Sequence, residues 1–206
     1  MQRHPTAVSQ RRRVLLSGLT VSGLAVLLAG CERSLPIVTP SLAAAPTRRP
    51  QPAPLAPVTP PDAPTIAVGA VFGRVVCLEG VTIDRDTVQP GDYLRIWLYW
   101  QSDGVSQEDL RSVGQVVADG WRVVASEDDQ IGRRRHFLSR WAVGDRGVDE
   151  MRIRIGPSVG LGEYGLAVGV LRPDNQTHVP LTSRLPAASV WSEDAVLVGS
   201  VQVQSA

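Results

Sequence analysis

Two aromatic side chains in the middle of the chain have the chemistry of a binding surface. Trp97 and Tyr99 alternate with apolar residues, so both would lie on the outward side of one strand, about 7 Å apart. Flat aromatic faces suit sugar rings and exposed apolar patches. The alternative is that both rings pack beneath a loop or pair with side chains of adjacent strands.

Two charged runs follow further along the chain. The cationic run is Arg133, Arg134, Arg135 and His136. Guanidinium groups bind phosphates, so this run could bind lipid or wall-polymer phosphates. The acidic run just before it is Glu127, Asp128 and Asp129. Its oxygens could bind calcium, although the alternating spacing of a recognised calcium loop is missing. The two runs could equally pair with each other on a solvated hairpin.

Groupings typical of catalysis are missing from the sequence. After the N-terminal segment the histidines are His136 and His178, which are too isolated to indicate a metal site or a catalytic triad. There is no phosphate-binding glycine loop. We therefore expect no catalytic residues, no metal and no cofactor. An enzyme with a site built from Asp, Glu and Arg on loops is the less favoured alternative.

The charge balance argues against nucleic acid as a partner. The whole chain has 21 basic and 20 acidic residues. Four of the basic residues, Arg3, Arg11, Arg12 and Arg13, precede Cys31, and no acidic residue does. The remainder has 17 basic residues against 20 acidic ones, a net charge of −3. Such a chain lacks the excess of cations that phosphate backbones require.

The residues after Thr65 form short β-branched and aromatic runs separated by turn residues at intervals of about 8 to 15 residues, typical of an antiparallel sandwich. The clearest strand is 93–100, in which one alternating set should face the core. That set is Leu94, Ile96, Leu98 and Trp100. Further strands are predicted at 74–83, 113–118, 121–126, 150–155, 164–171, 177–182 and 195–204. About eight or nine strands in all predict a two-sheet immunoglobulin-like or jelly-roll sandwich over residues 66–206.

Two turns are predicted between these strands. Gln89-Pro90-Gly91-Asp92 places Pro and Gly at the centre of a type II turn. This turn should close a hairpin between strands 74–83 and 93–100. Ala118-Asp119-Gly120-Trp121 predicts a two-residue hairpin between strands 113–118 and 121–126.

The N-terminus has the three parts of a secretory signal peptide, predicted over residues 1–30. A basic segment ending at Arg13 precedes the apolar run 14–28, which is short for a transmembrane helix. The run ends in Leu28-Ala29-Gly30-Cys31, which resembles the lipobox of bacterial lipoproteins. The resemblance implies a diacylglycerol on Cys31, labelled by palmitate, with cleavage just before this residue. The alternative is an uncleaved membrane anchor.

The same segment resembles a twin-arginine export signal, with Arg11 and Arg12 as the pair. It departs from that pattern at Gln10 and Val14, so the general export route is the alternative. Either route implies a protein exported and held by Cys31 at the outer face of the cytoplasmic membrane or elsewhere on the cell surface.

Residues 31–65 are predicted to be a Pro/Ala-rich linker. Proline favours extended conformations, so the roughly 30 residues up to Thr65 could reach roughly 90 Å at about 3.1 Å per residue. Lipidation of Cys31 would leave Cys77 as the one remaining thiol. Cys77 should then be an inert, half-buried thiol or, as the alternative, should pair with a second chain.

The region from Ala70 to Val203 resembles a β-sandwich domain that occurs on the outer side of bacterial envelope proteins, often appended to membrane glycosyltransferases of the protein-mannosyltransferase-like class. The collinear motifs are Phe72-Gly73, Leu78-Glu79-Gly80, Val88-Gln89-Pro90-Gly91-Asp92, Leu98-Tyr99-Trp100-Gln101, Ser139-Arg140-Trp141, Gly144-Asp145, Gly162-Glu163-Tyr164-Gly165-Leu166, Val168-Gly169-Val170 and Val196-Leu197-Val198-Gly199-Ser200-Val201. Glu79 departs from the pattern, which usually has an apolar residue there. The resemblance implies an accessory envelope domain without catalytic residues.

Two functions therefore remain open besides the enzyme. One is a membrane-tethered, non-catalytic binding module for an envelope protein or glycan. The other is a structural or assembly accessory of a membrane glycosyltransferase. In both functions, the lipid on Cys31 would attach the protein to the membrane.

Overall fold

The computed structural model of this chain describes residues 58–174, 176–183 and 189–205. Within them the strands are β1 (Ile66–Phe72), β2 (Val76–Ile83), β3 (Thr87–Val88), β4 (Tyr93–Ser102), β5 (Arg111–Ala118), β6 (Arg122–Gln130), β7 (Arg146–Arg154), β8 (Gly162–Leu171), β9 (Leu181–Ser183), β10 (Ser189–Ser192) and β11 (Ala195–Val203). Two short 3₁₀ turns, Asp119–Trp121 and Leu138–Arg140, accompany them. In this described part of the chain, no helix has the length and apolar character needed to cross a membrane.

The strands form two sheets, which confirms the predicted all-β sandwich. The first sheet has the order β7-β4-β2-β1-β9 and the second has the order β10-β11-β8-β5-β6. All of these neighbours pair antiparallel, whereas β3 adds to the second sheet by pairing parallel with β11. The sequence pattern does not predict β1, β3 or β10, so the described chain has more strands than the expected eight or nine.

The core lies between the sheets and is organised around β4. The side chains of Leu94, Ile96, Leu98 and Trp100 are fully buried in it, as the alternation predicts. Burying each such side chain stabilises the fold by roughly 1.5–3 kcal/mol. Because β4 lies between β2 and β7, its outer face is also flanked by side chains on both sides.

The predicted type II turn is present, but it does not close a simple hairpin. The Asp92 N–H donates to the Gln89 carbonyl over 3.0 Å, and Gly91 has the positive φ (+100°) that this turn requires. The chain leaving β2 first pairs as β3 with the second sheet and only then enters the turn to β4. The two sheets are thereby joined at this end.

The predicted hairpin between β5 and β6 is also present, with a longer connection than expected. Ala118 pairs with Arg122, so three residues, Asp119, Gly120 and Trp121, form the turn. Gly120 and Trp121 both have positive φ, near +70° and +65°. Trp121 is therefore part of the turn, and the prediction that it begins the strand is wrong.

The strand predicted at 177–182 is shorter and later than expected. His178 forms an isolated bridge with Leu171, and β9 begins only at Leu181. At the other end of the domain, β1 begins at Ile66, directly after the predicted linker. The last linker residues already contact the sandwich, because the Thr65 N–H donates to Thr82 Oγ1 over 3.1 Å.

Candidate functional site

A groove of about 590 Å³ lies on the outer face of the first sheet. Residues 62–64, which lead into β1, form one wall, and the turn between β6 and β7 forms the other. Its polar and aromatic lining is Asp62, Glu79, Tyr99, Arg134, Arg135, Arg146 and Asp149. We call it the arginine groove. Its volume falls within the roughly 300–1,000 Å³ of small-molecule sites.

The structure corrects the expectation that Trp97 and Tyr99 form an exposed aromatic surface. They lie on the same side of β4, but their exposed fractions are 3% and 5%. The Tyr99 hydroxyl donates to the Pro61 carbonyl over 2.7 Å, so the end of the linker covers it. The alternative of packing beneath neighbouring segments is therefore correct. Tyr99 still borders the arginine groove, whereas Trp97 does not.

Trp97 belongs to a buried ionic cluster beside the groove. Glu150 on β7 contacts three arginines: Arg95 Nε at 3.2 Å, Arg134 Nη2 at 2.5 Å and Arg152 Nε at 2.5 Å. The side chains of Arg95 and Glu150 are each only 2% exposed. The Arg95 guanidinium also lies over the Trp97 ring, 5.8 Å from its centroid. Glu150 therefore anchors Arg134, a wall residue of the groove, to the outer face of the sheet.

The two neighbouring carboxyl groups of β7 have opposite pKa shifts. Burial works to raise the pKa of Glu150, but hydrogen bonds from Arg152 and Arg134 outweigh it and hold that pKa below its usual range. Burial raises the pKa of Asp149 to about 6 despite the hydrogen bond that Gly132 N–H donates to its Oδ2 over 2.7 Å. Asp149 thus changes charge near pH 6 while it accepts the hydrogen bond from Gly132, which directly precedes the cationic run.

Asp149→Asn should make stability less dependent on pH. The folded-state pKa of Asp149 exceeds the unfolded value near 3.8, so its contribution is fully present below about pH 4. Between pH 4 and pH 7 this contribution falls, by roughly 2–3 kcal/mol for a shift of this size. Asparagine keeps an oxygen for the Gly132 N–H and does not ionise. We expect urea titrations to show a flatter variant profile over this range. An unchanged slope would contradict the assignment.

The cationic run is split by the structure. Arg133 pairs with Asp129 at 3.1 Å, as the solvated-hairpin alternative proposed, whereas Arg134 reaches Glu150. Arg135 lines the groove and donates only a long bond, 3.5 Å, to the Arg146 carbonyl. It pairs with no acidic side chain among the described residues. His136 and His178 are both exposed.

The acidic run is engaged by arginines. Asp128 pairs with Arg111, and Asp129 pairs with Arg133. In the ranges that the structure describes, no three His, Cys, Asp or Glu side chains group as metal ligands would. The geometry therefore gives no support to the calcium alternative for Glu127, Asp128 and Asp129.

Cys77 lies half-buried on β2 and forms no disulfide within the described part of the chain. Burial, together with the nearby carboxylates of Glu79 and Asp103, raises the pKa of its thiol to about 11. A thiol with so high a pKa is a poor nucleophile at neutral pH. The environment thus favours the inert thiol over pairing between chains.

The sequence alone did not reveal several residues of the groove. Arg146 Nη2 contacts Glu79 Oε1 at 2.8 Å, and this pair spans the groove floor from β7 to β2. The signal for Glu79 is its departure from the resembling domains, which usually have an apolar residue at this position. Arg95 and Glu150 are brought together only by the pairing of β4 with β7, so the local sequence around each residue does not predict their contact. The predicted lipidation residue Cys31 and the predicted export residues Arg11 and Arg12 lie outside the described residues.

The chain was compared with known proteins. No protein-family model matches it, and no curated protein does. Among solved structures it is similar to the C-terminal domain of Wzt, with 11% identity, TM-score 0.46, and coverage of 70% of this chain and 81% of that one. It is also similar to the CARDB domain of a Pyrococcus furiosus protein in complex with di-metal ions, with 13% identity, TM-score 0.32, and coverage of 70% and 97%. A third similarity, to a β-glucuronidase of glycoside hydrolase family 2, has 11% identity and TM-score 0.33 and covers 61% of this chain and 11% of that one.

Proposed function

We propose that this chain is an exported, membrane-tethered lipoprotein whose sandwich is a non-catalytic binding module for an envelope protein or glycan. The lipobox-like Leu28-Ala29-Gly30-Cys31 supports the tether, and the Pro/Ala-rich linker supports a domain held away from the lipid. The domain would work at the outer face of the cytoplasmic membrane or elsewhere on the cell surface.

The observation that carries the proposal is the arginine groove itself. Arg135 lines the groove and has no acidic partner among the described residues. The Arg146–Glu79 ion pair crosses the groove floor, and Tyr99 borders it. Concave sites with a few convergent polar groups are the usual form of binding sites. The groove opens beside residues 62–64, which lead into β1.

Co-purification from solubilised membranes tests the proposal. The wild-type chain should retain a protein or glycan partner that Arg135→Glu loses, because the reversed charge opposes the group that this arginine binds. Arg140→Glu is the matched control, since Arg140 is exposed and does not line the groove. Equal retention by Arg135→Glu and wild type would overturn the proposal.

The resemblance to accessory domains of membrane glycosyltransferases favours a second candidate, in which the partner is such an enzyme. The co-purified partner would then be a polytopic glycosyltransferase, and a strain lacking this chain should show reduced glycosylation. Normal glycosylation in that strain would rule out the accessory role and leave the binding module.

Cys31→Ser tests the tether, with Cys77→Ser as the control. Cys31→Ser should abolish incorporation of a palmitate label, because the thiol is the proposed acceptor of the lipid. Cys77→Ser should keep the label, since Cys77 is half-buried within β2. Two acyl chains suffice for stable anchoring, so wild type should also remain in the membrane pellet after a salt wash. Labelling of the Cys31→Ser variant would refute the anchor.

A further inference from the structure

A second groove, of about 550 Å³, lies on the other sheet, beside the β5–β6 turn. Its floor contains Gly165 on β8, which pairs with Val117 on one side and with Ser200 on the other. A Cβ on Gly165 would lie 3.0 Å from Val117 Cγ2 and 3.1 Å from Leu197 Cδ2. The side chains of Val117 and Leu197 therefore close over this glycine and give the groove an apolar floor.

Trp121 forms the rim of this groove. It is 58% exposed, whereas Trp97, Trp100 and Trp141 are nearly or fully buried. An exposed indole at the edge of a concave surface offers a flat apolar face for stacking. Apart from Val117 and Leu197 on the floor, the other lining residues are small or polar.

The charged residues around this second groove favour an uncharged, hydroxyl-bearing ligand. The ionisable lining residues are Asp119 on the turn and Glu163 on β8, both exposed and both acidic. Carboxylates accept hydrogen bonds from hydroxyl groups, and the Ser200 hydroxyl can donate or accept. The same carboxylates repel an anionic ligand. A neutral sugar has an apolar ring face for the indole and hydroxyls around its edge for these oxygens.

We propose that this groove, at the Trp121 turn, binds a neutral hexopyranose glycan. The site is separate from the arginine groove and does not depend on the proposed function. Trp121 provides the stacking face, and Asp119 and Glu163 accept hydrogen bonds from the sugar hydroxyls. A peptide or an acidic polysaccharide is a different ligand, and binding of either in its place contradicts the proposal.

The backbone conformation of the turn suits a smaller residue than tryptophan at position 121. Trp121 has φ near +65°, a conformation that is strained for a bulky side chain and tolerated by asparagine. Trp121→Asn should therefore unfold at the wild-type temperature or above it. Trp121→Phe keeps a flat ring at the same position. Phe137→Ala removes another exposed aromatic, 39% exposed, that does not line the groove.

Calorimetry with the purified full-length protein provides the test. The probes are neutral gluco-, manno- and galacto-oligosaccharides, with oligogalacturonate as the acidic counterpart. We expect at least one neutral probe to bind, with Kd at least about tenfold weaker in Trp121→Asn and close to wild type in Phe137→Ala. Trp121→Phe should fall between them. Three outcomes would overturn the proposal: no neutral probe binds, the acidic probe alone binds, or Trp121→Asn binds like wild type. Loss of the membrane partner in Arg135→Glu should leave this binding unchanged.

Discussion

Glu150→Gln should lower the free energy of unfolding by about 3 kcal/mol or more, because a neutral amide would leave the buried Arg95 without the charge that faces it. Glu150 also holds Arg134 and Arg152, so three guanidinium groups would lose one shared carboxylate. Urea titration followed by tryptophan fluorescence measures the change, with an unchanged m-value as the sign of two-state unfolding.

Glu79→Gln is the matched control for this experiment. Glu79 also pairs with an arginine, but Arg146 is 67% exposed, and exposed pairs contribute at most about 1 kcal/mol. The pH dependence gives a second check. Since the pKa of Glu150 is depressed in the folded state, its stabilisation is present above the unfolded value near 4.5 and is lost as the pH falls below it. Equal losses in the two variants would contradict the buried cluster.

Gly132→Ala should destabilise the domain by about 3 kcal/mol, the second large effect. Gly132 has φ near +77°, and a Cβ there would collide with the His136 carbonyl and lie 2.9 Å from Trp141 Cζ2. The Gly132 N–H also donates to Asp149, so a shifted turn would break a buried hydrogen bond. The same shift would move Arg134 and Arg135, and the variant should therefore also lose the partner of the arginine groove.

Gly144→Ala separates backbone strain from collision. Gly144 has a comparable φ of +91°, but a Cβ there would meet no atom within 4 Å. Its cost should be limited to the backbone strain, about 1 kcal/mol. Urea midpoints of the two variants measure the difference. If Gly144→Ala were as destabilising as Gly132→Ala, the close contacts around Gly132 would not be the cause.

Alternation along the chain predicts the inner face of the sandwich but not what covers the outer face. Leu94, Ile96, Leu98 and Trp100 follow from the period of two residues, since one face of a strand in a sandwich must be buried. The same rule assigns Trp97 and Tyr99 to the outside. Their burial depends on segments distant in sequence, because Pro61 lies 38 residues from the Tyr99 hydroxyl it contacts.

The two grooves also depend on contacts that the local sequence does not predict. The cationic run at 133–135 is visible in the sequence, but the pairing of Arg134 with Glu150 depends on where β7 places Glu150 beside β4. The sequence pattern places Trp121 in a strand because Asp-Gly usually forms a two-residue turn. The three-residue turn instead leaves the indole exposed, and no local signal distinguishes the two turns. The role of a glycine such as Gly165 can be assigned only when its neighbours in the sheet are known.

Site-specific photocrosslinking in intact cells tests the central claim, that the arginine groove holds an envelope partner. A photoreactive amino acid would replace Ala63, an exposed wall residue of the groove, or Ala142, an exposed alanine that does not line it. We expect one discrete adduct from position 63 that is absent from position 142 and is lost when Arg135→Glu is added. No adduct at position 63, or the same adducts from both positions, would contradict it.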